Sequence, residues 1–381
     1  MKTTRIGKRI VGMTLVAMLL LAMMPMSSLA SSPRGTYIPD EDGNFVWVDD
    51  YEASDAEFLI DEDFIMRNYR GPGGEVVIPD GVKGTGSGIG VFGWSSNDPE
   101  EIRGDIIVAD EITSLILPAS VENIWYPGLD SLLNLQSVTI LNGDTQFENR
   151  HSTVQLRGSD ATIYGVPGGL VELYAKRYGI NFVAIGDPVP IPDEMAGADD
   201  WAAMELRAAL ISDLVLDDMI GNWTMPTNRL LAAEAIVKLA LPSWWEGSID
   251  EYAEQLGFDM TAGFADTDSK AATFLKAAGI STGVGDNNYG VDGVFTRIQM
   301  VTMLGRMMES IYNVDLSAYP LGSDTFTDIP DWPGTDAAVG WAVATGVTDG
   351  VGNGLFDSFG TLQNQHTGVF AYRAYAYLEA R

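Results

Sequence analysis

Arg297 follows Phe295 and Thr296 and precedes Ile298 and Gln299. Thr296 and Gln299 have capping-box spacing, in which the threonine hydroxyl accepts from a first-turn amide and the glutamine reaches back to the cap. A helix therefore starts here, with Arg297 on its first turn. A positive charge at that place opposes the helix dipole at about 0.3–1 kcal/mol. Beside free first-turn amides, however, it suits the holding of an anion. Arg229, preceded by Asn228, stands at the same place in another predicted helix. Residues 199–381 hold 9 basic and 25 acidic residues, so two arginines at equivalent helix starts are conspicuous. Arginine grips a carboxylate through two parallel hydrogen bonds, which supplies geometry as well as charge.

Other patterns carry less chemistry. Asp286-x-Asn288-x-Gly290-x-Asp292 begins like a calcium loop, but Gly290 and Arg297 stand where a ligand and a bidentate glutamate are needed. Gly88 to Gly93 fits GxGxxG, yet neither a helix nor a dinucleotide-binding unit follows. The two histidines, His151 and His366, fall in different domains, and neither GxSxG nor HExxH accompanies them. Acids are so abundant that carboxylate pairs have no diagnostic value for glycoside hydrolysis. Without cysteine there is no disulfide framework, zinc ribbon or thiol nucleophile. The expectation is a non-enzymatic protein with no cofactor and no metal.

The elements around Arg297 recur. Phe274 to Met307 reads as a helix, a glycine-rich turn and a second helix. At an offset of 67 residues Phe274 meets Trp341, Gly283 meets Gly350, Gly285 meets Gly352, Tyr289 meets Phe356 and Arg306 meets Arg373. A weaker earlier copy runs from Trp201 to the helix Leu230 to Leu241. Tandem copies form an array in which each buries its apolar side against its neighbours. Met300, Met303, Met307 and Met308, with Leu304 and Ile311, recur at helical spacing and read as a buried stripe. Trp201, Trp332 and Trp341 read as packing between copies before sugar stacking.

Phe264-Ala265-Asp266, Gly279 to Asp286 and Phe295 to Gln299 together resemble the S-layer homology (SLH) domain, over residues 199–381 in three copies at about 199–245, 260–312 and 324–381. Copy three keeps Phe326-Thr327-Asp328 and Gly346 to Gly352, but Gln363-Asn364 replaces the Thr-Arg pair. Copy one has Asn228-Arg229 and lacks the acidic residue after it. The resemblance implies an all-α, three-repeat pseudo-trimer, a helical prism with sugar-binding grooves between copies. It implies pyruvylated or otherwise anionic secondary cell-wall polysaccharide as partner. The candidate contacts are Asn228, Arg229, Gly283, Gly285, Asp286, Thr296, Arg297 and Asn364.

Residues 1–30 have the anatomy of a secretory signal: Lys2, Arg5, Lys8 and Arg9, then the apolar run Ile10 to Met24, then Ser28-Leu29-Ala30. The run is short for a membrane span, which needs about 20 residues. After cleavage no transmembrane segment is expected. The chain has 22 basic and 53 acidic residues, a net charge of −31, and the signal removes only basic ones. Such a surface repels nucleic acid and anionic lipid.

Residues 31–68 read as an acidic segment with one short strand at Phe45 to Val48, and Phe58 to Tyr69 as the entry to the next domain. Over 69–186 short β-branched strands alternate with turns. Leu117, Ile140 and Ile163 are 23 residues apart, and Val76 to Val82 matches Leu115 to Val121 at 39, with an insertion near 93–101. One strand and one return per 23 residues is solenoid arithmetic. VVIPDGV, LILPASVENI, NLQSVTI and the closing ATIYGVPGGLVELYAKRYGINFVAI resemble the BspA-like leucine-rich repeat, whose end implies a helix at Gly169 to Tyr178 and a last strand at Asn181 to Ile185. The alternating prolines of the linker 187–198 predict an extended spacer between domains.

The expectation is a multidomain chain: a short β-rich leucine-rich-repeat solenoid followed by the SLH array. It would be secreted and held at the cell surface, wall or S-layer of a Gram-positive-type bacterium, displaying the solenoid to an unknown protein or glycan. Two other functions stay open, a self-assembling S-layer tile and a wall-associated hydrolase.

Overall fold

The computed structural model describes residues 35–40, 44–49, 57–69, 71–85, 111–125, 128–129, 132–147, 155–242, 244–322 and 325–381. The expected signal at 1–30, the 88–93 glycine motif, the expected insertion near 93–101 and His151 lie outside them. The described residues divide into two compact units. One takes in the chain up to Asp193 with Ala203–Ala208 and Ala376–Arg381, and the other Glu194–Ala202 and Ala209–Tyr375.

The first unit is a β-solenoid. β1 (Gly35–Pro39) and β2 (Phe45–Asp49) form an antiparallel hairpin, with Tyr37 against Trp47 at 5.0 Å between ring centroids. There follow β3 (Phe58–Ile60), β4 (Ile65–Tyr69), β5 (Gly74–Val77), β6 (Gly84–Thr85), β7 (Ile112–Leu117), β8 (Asn123–Ile124), β9 (Ser137–Ile140), β10 (Gln146–Phe147), β11 (Thr162–Gly165), α1 (Leu170–Tyr178) and β12 (Asn181–Ala184). One sheet has the order β10-β8-β6-β4-β3 and the other β12-β11-β9-β7-β5. From β4 to β11 the chain alternates between them, and neighbours pair in parallel. Each coil thus places one strand in each sheet.

Side-chain alternation along a strand decides which residues fill the space between the sheets. Val76, Leu115, Val138 and Ile163 are in register and buried. Leu117 pairs with Ile140, as expected from the 23-residue period, but Ile140 pairs with Gly165 and Ile163 with Val138. The last coil is therefore two residues longer than the simple period predicts. A slip of two leaves every side chain on its own face, so the pattern cannot reveal it. Gly165 then ends the inner row because a Cβ there would meet Phe182 at 2.8 Å and Val171 at 3.1 Å. α1 closes the coils with Val171 and Ala175 buried, and Gly179 terminates it at φ 69°.

On the outer face Val77, Ile116, Thr139, Tyr164 and Val183 make one row across five strands, beside Glu75, Ser114, Ser137, Thr162 and Asn181. Val77, Tyr164 and Val183 are exposed.

Two expectations change here. Among the described residues the segment up to Tyr69 holds four strands rather than one, because β3 and β4 pair antiparallel and β4 joins the solenoid sheet. The proline segment is not a free spacer over its first half. Val189 donates to the Pro167 carbonyl at 2.8 Å, and Arg207 donates to the Pro190 carbonyl at 2.7 Å while its Nε reaches Asp144 at 2.6 Å, all within this unit.

The helical half comprises α2 (Ala203–Ile211), α3 (Arg229–Ala240), α4 (Ile249–Leu256), α5 (Lys270–Ala277), α6 (Arg297–Ser310), α7 (Thr335–Ala344) and α8 (Asn364–Glu379). α2, α5 and α7 end alike, in a left-handed residue: Asp213 at φ 54°, Gly279 at 70° and Gly346 at 72°. The next amide then returns to the helix, Leu214 to Ala209, Ile280 to Leu275 and Val347 to Ala342. The following long helix closes back on that end, through Lys238 to the Val215 carbonyl, Arg306 to Ile280 and Arg373 to Val347. The methionine stripe of α6 is buried as expected. Trp341 is fully buried, whereas Trp201 and Trp332 are exposed.

Ile163→Ala should destabilise the solenoid by about 2–5 kcal/mol, the usual cost of a buried Ile→Ala change. Hydrogen exchange checks it: amides of β9, β11 and β12 should lose protection.

Candidate functional site

The residues before α3, α6 and α8 meet at one point. Thr227 N–H donates to the Leu362 carbonyl at 2.8 Å, Leu362 N–H to Phe295 at 2.9 Å, and Phe295 N–H to Thr227 at 3.1 Å. Three backbone hydrogen bonds close a ring through three copies. The bridges Pro226↔Gln363, Asn228↔Val294 and Thr296↔Thr361 surround it.

Just beyond the ring the first-turn amides of each helix find carbonyls of the next copy. Arg229 and Leu230 donate to Gly293 and Val291, Arg297 and Ile298 to Gly360 and Ser358, and Asn364 and Gln365 to Met225 and Trp223. These amides were expected to be free for an anion. They are occupied, because a helix start buried between copies must satisfy its orphan donors inside the protein.

The caps differ from copy to copy. Asn228 Oδ1 accepts from Leu231 N–H at 2.8 Å. Gln299 Oε1 accepts from Thr296 N–H at 3.1 Å, the returning half of the expected capping box, while the Thr296 hydroxyl is buried without a full hydrogen bond. His366 Nδ1 accepts from Gln363 N–H at 3.3 Å.

The side chains at the first helical position perform one task in three ways. Arg229 Nε donates to the Tyr289 carbonyl at 2.8 Å, Arg297 Nε to Phe356 at 3.0 Å, and Asn364 Nδ2 to Asn222 at 2.9 Å. Arg297 Nη2 also reaches Thr348 Oγ1 at 3.3 Å. The guanidinium of Arg229 lies 4.9 Å from the Tyr289 ring, and that of Arg297 lies 5.3 Å from both Phe356 and Phe370. Arg229 is 6% exposed, Arg297 9% and Asn364 3%. The arginines expected at the rim of a groove are thus largely spent on joining copies. Asn364, expected as the loss of the motif, makes the equivalent bond with a shorter arm.

Burial draws the pKa of both arginines down from its ordinary value, opposed by Tyr289 and Asp266 around Arg229 and by Asp357 and Asp328 around Arg297. Burial pushes the Tyr289 phenol up to about 12, and its hydroxyl donates to the Arg229 carbonyl at 3.1 Å. Asp266 receives Tyr289 N–H and Gly290 N–H at 2.7 Å each, which holds its carboxyl below the usual range. Burial alone would raise Asp328, but Phe356 N–H at 2.8 Å and Ser358 N–H at 3.0 Å bring it down. The roles of Asp266 and Asp328 were not read from the sequence, although the Phe-x-Asp spacing placed both in equivalent positions.

The glycine-rich turn forms a tight exposed loop. Val284 N–H donates to Asn288 and Asn288 N–H to Gly285, each at 2.8 Å, with Asp286 and Asn287 left-handed at φ 49° and 58°. Gly283, at φ 75°, admits no other residue, since a Cβ would strike the Asn288 carbonyl and stand 2.7 Å from Phe264. Gly283, Gly285 and Asp286 therefore lie together, and Thr296 and Arg297 lie at the ring.

Arg297→Ala should lower stability by about 2–3 kcal/mol, because the buried Phe356 carbonyl loses a charged donor. Asn364→Ala should cost about 1–3 kcal/mol by leaving the Asn222 carbonyl unpaired. Urea unfolding of the full chain checks both, and an Arg297→Ala protein as stable as the parent would contradict the joining role.

No family model matches the chain. A "Cell surface protein" of Thermoanaerobacter kivui is 33% identical over 129 residues, which is 32% of this chain. The chain spans 16% of that relative's length. Among the described residues no helix is long and apolar enough to cross a membrane. The relative's name and the β-solenoid fit a bacterial surface protein.

Proposed function

We propose that the chain is a non-enzymatic surface protein whose helical half is an S-layer-homology-type array, holding it non-covalently on an anionic secondary wall polysaccharide. The observation that carries this reading is the closed ring of three copies, each presenting one side chain at the same helix start. Arg229 engages only Nε; among the described residues its two terminal nitrogens have no hydrogen-bond partner. A sugar carboxylate would take such a fork pairwise. Elsewhere this half is strongly acidic, so a polyanion finds few positive points except these. Asn228, Gly283, Gly285 and the backbone at Thr296 would supply neutral contacts around the guanidiniums, Asp286 would accept from sugar hydroxyls, and Asn364 makes the third site uncharged.

The solenoid is then the displayed part. Its outer row of Val77, Ile116, Thr139, Tyr164 and Val183, with a flanking row in which Glu75 is the single charged residue, gives a charge-poor face on an acidic protein. Depletion of charge is what the centre of a protein or glycan interface requires.

The full chain should pellet with purified wall sacculi and stay in solution once the secondary polysaccharide has been removed. Equal pelleting in both samples would overturn the anchor. Arg229→Ala should weaken pelleting about tenfold, the loss of one charge-assisted fork. The comparison is made at a temperature where that variant remains folded.

A further inference from the structure

The third copy closes onto the first through hydroxyls, amides and one carboxylate, with no arginine at the first helical position. Thr227 Oγ1 donates to Asn364 Oδ1 at 2.9 Å and shares a hydrogen bond with Thr367 Oγ1 at 3.0 Å, while Gln365 Nε2 donates to Asp199 Oδ2 at 2.7 Å. At the position where the second copy caps its helix with Gln299, this copy has His366. An amide oxygen accepts at any pH near neutrality. An imidazole nitrogen accepts only while it carries no proton, so the Gln363 N–H bond requires neutral His366 with its proton on Nε2.

The surroundings of the ring have a definite polarity. It packs on Trp201, with centroids 4.9 Å apart. Its charge environment is set by Arg297 on α6, which disfavours protonation, and by Asp199 at the entry to the first copy and Asp357 in the turn before α8, which favour it. The first turn of α8 contains no acid. The amide end of that helix also disfavours a cation.

We propose that His366 is a pH-sensitive clasp: neutral, it caps Gln363 and holds the third copy closed on the first, and protonated, it turns Nδ1 into a donor facing the Gln363 N–H and releases that closure. Burial, and after it Arg297, pulls the imidazole pKa below its ordinary 6.5, with Asp199 and Asp357 acting against them. The unfolded chain therefore takes up its proton first as pH falls. The contribution to closure is complete above pH 6.5 and is lost as pH drops through the lower folded value. The loss is about tenfold in the unfolding constant for each unit of depression.

The test compares the full chain with His366→Gln, which installs the acceptor the second copy already uses. Urea unfolding at pH 7.5 and 5.5 should show the parent losing more stability than the variant. A proton NMR titration of a His151→Gln chain, which leaves His366 as its single imidazole, should give a midpoint below 6.5. The proposal is overturned if His366→Gln follows the parent across this range, or if the imidazole titrates at or above 6.5. Should His366→Gln fail to fold, the NMR midpoint decides alone.

Discussion

Each long helix of the C-terminal half begins by donating its first amides to carbonyls of the neighbouring copy, and the residues just before these helices close a ring of three backbone hydrogen bonds. A helix start carries four donors that its own backbone cannot satisfy. On an isolated helix water would take them. At the meeting point of three copies they are buried, so each helix can start only when the next copy is in place. The capping residues, the first-position side chains and the glycine turns follow from this requirement.

The same constraint explains the arginines. A guanidinium on a first turn is unfavourable by the dipole alone, yet Arg229 and Arg297 each hold a carbonyl of the next copy and lie over its aromatic ring. Asp266 and Asp328 then order the same turns from the other side, accepting the amides that flank those carbonyls. Arg229 spends only Nε on this joining, whereas Arg297 adds a bond from Nη2 to Thr348 within the same junction. The third junction gives up the charge and is made of Asn364, Thr227, Gln365 and His366 instead.

Much of the fold was legible because periodicity reports burial. The 67-residue offset paired Phe274 with Trp341 and Tyr289 with Phe356, and all four are buried in the structure. The glycines of the turns were legible because left-handed backbone leaves few alternatives. The solenoid was visible in its β-branched strands, while the longer last coil was hidden by a slip that changes no face. What a spacing cannot show is where a polar group ends. Arg297 read as an outward contact because its helix start was visible and the carbonyls of Gly360 and Phe356, some 60 residues on, were not. Likewise Pro188, Pro190 and Pro192 predict an extended segment without indicating that Val189 is tied to Pro167.

The central claim is that the three helix starts stand or fall together. Native-state hydrogen exchange at the amides of Thr227, Phe295 and Leu362 tests it most directly. A closed ring predicts equal opening free energies at all three, with the same dependence on denaturant. Rapid local exchange at one of them, with the other two still protected, would contradict it.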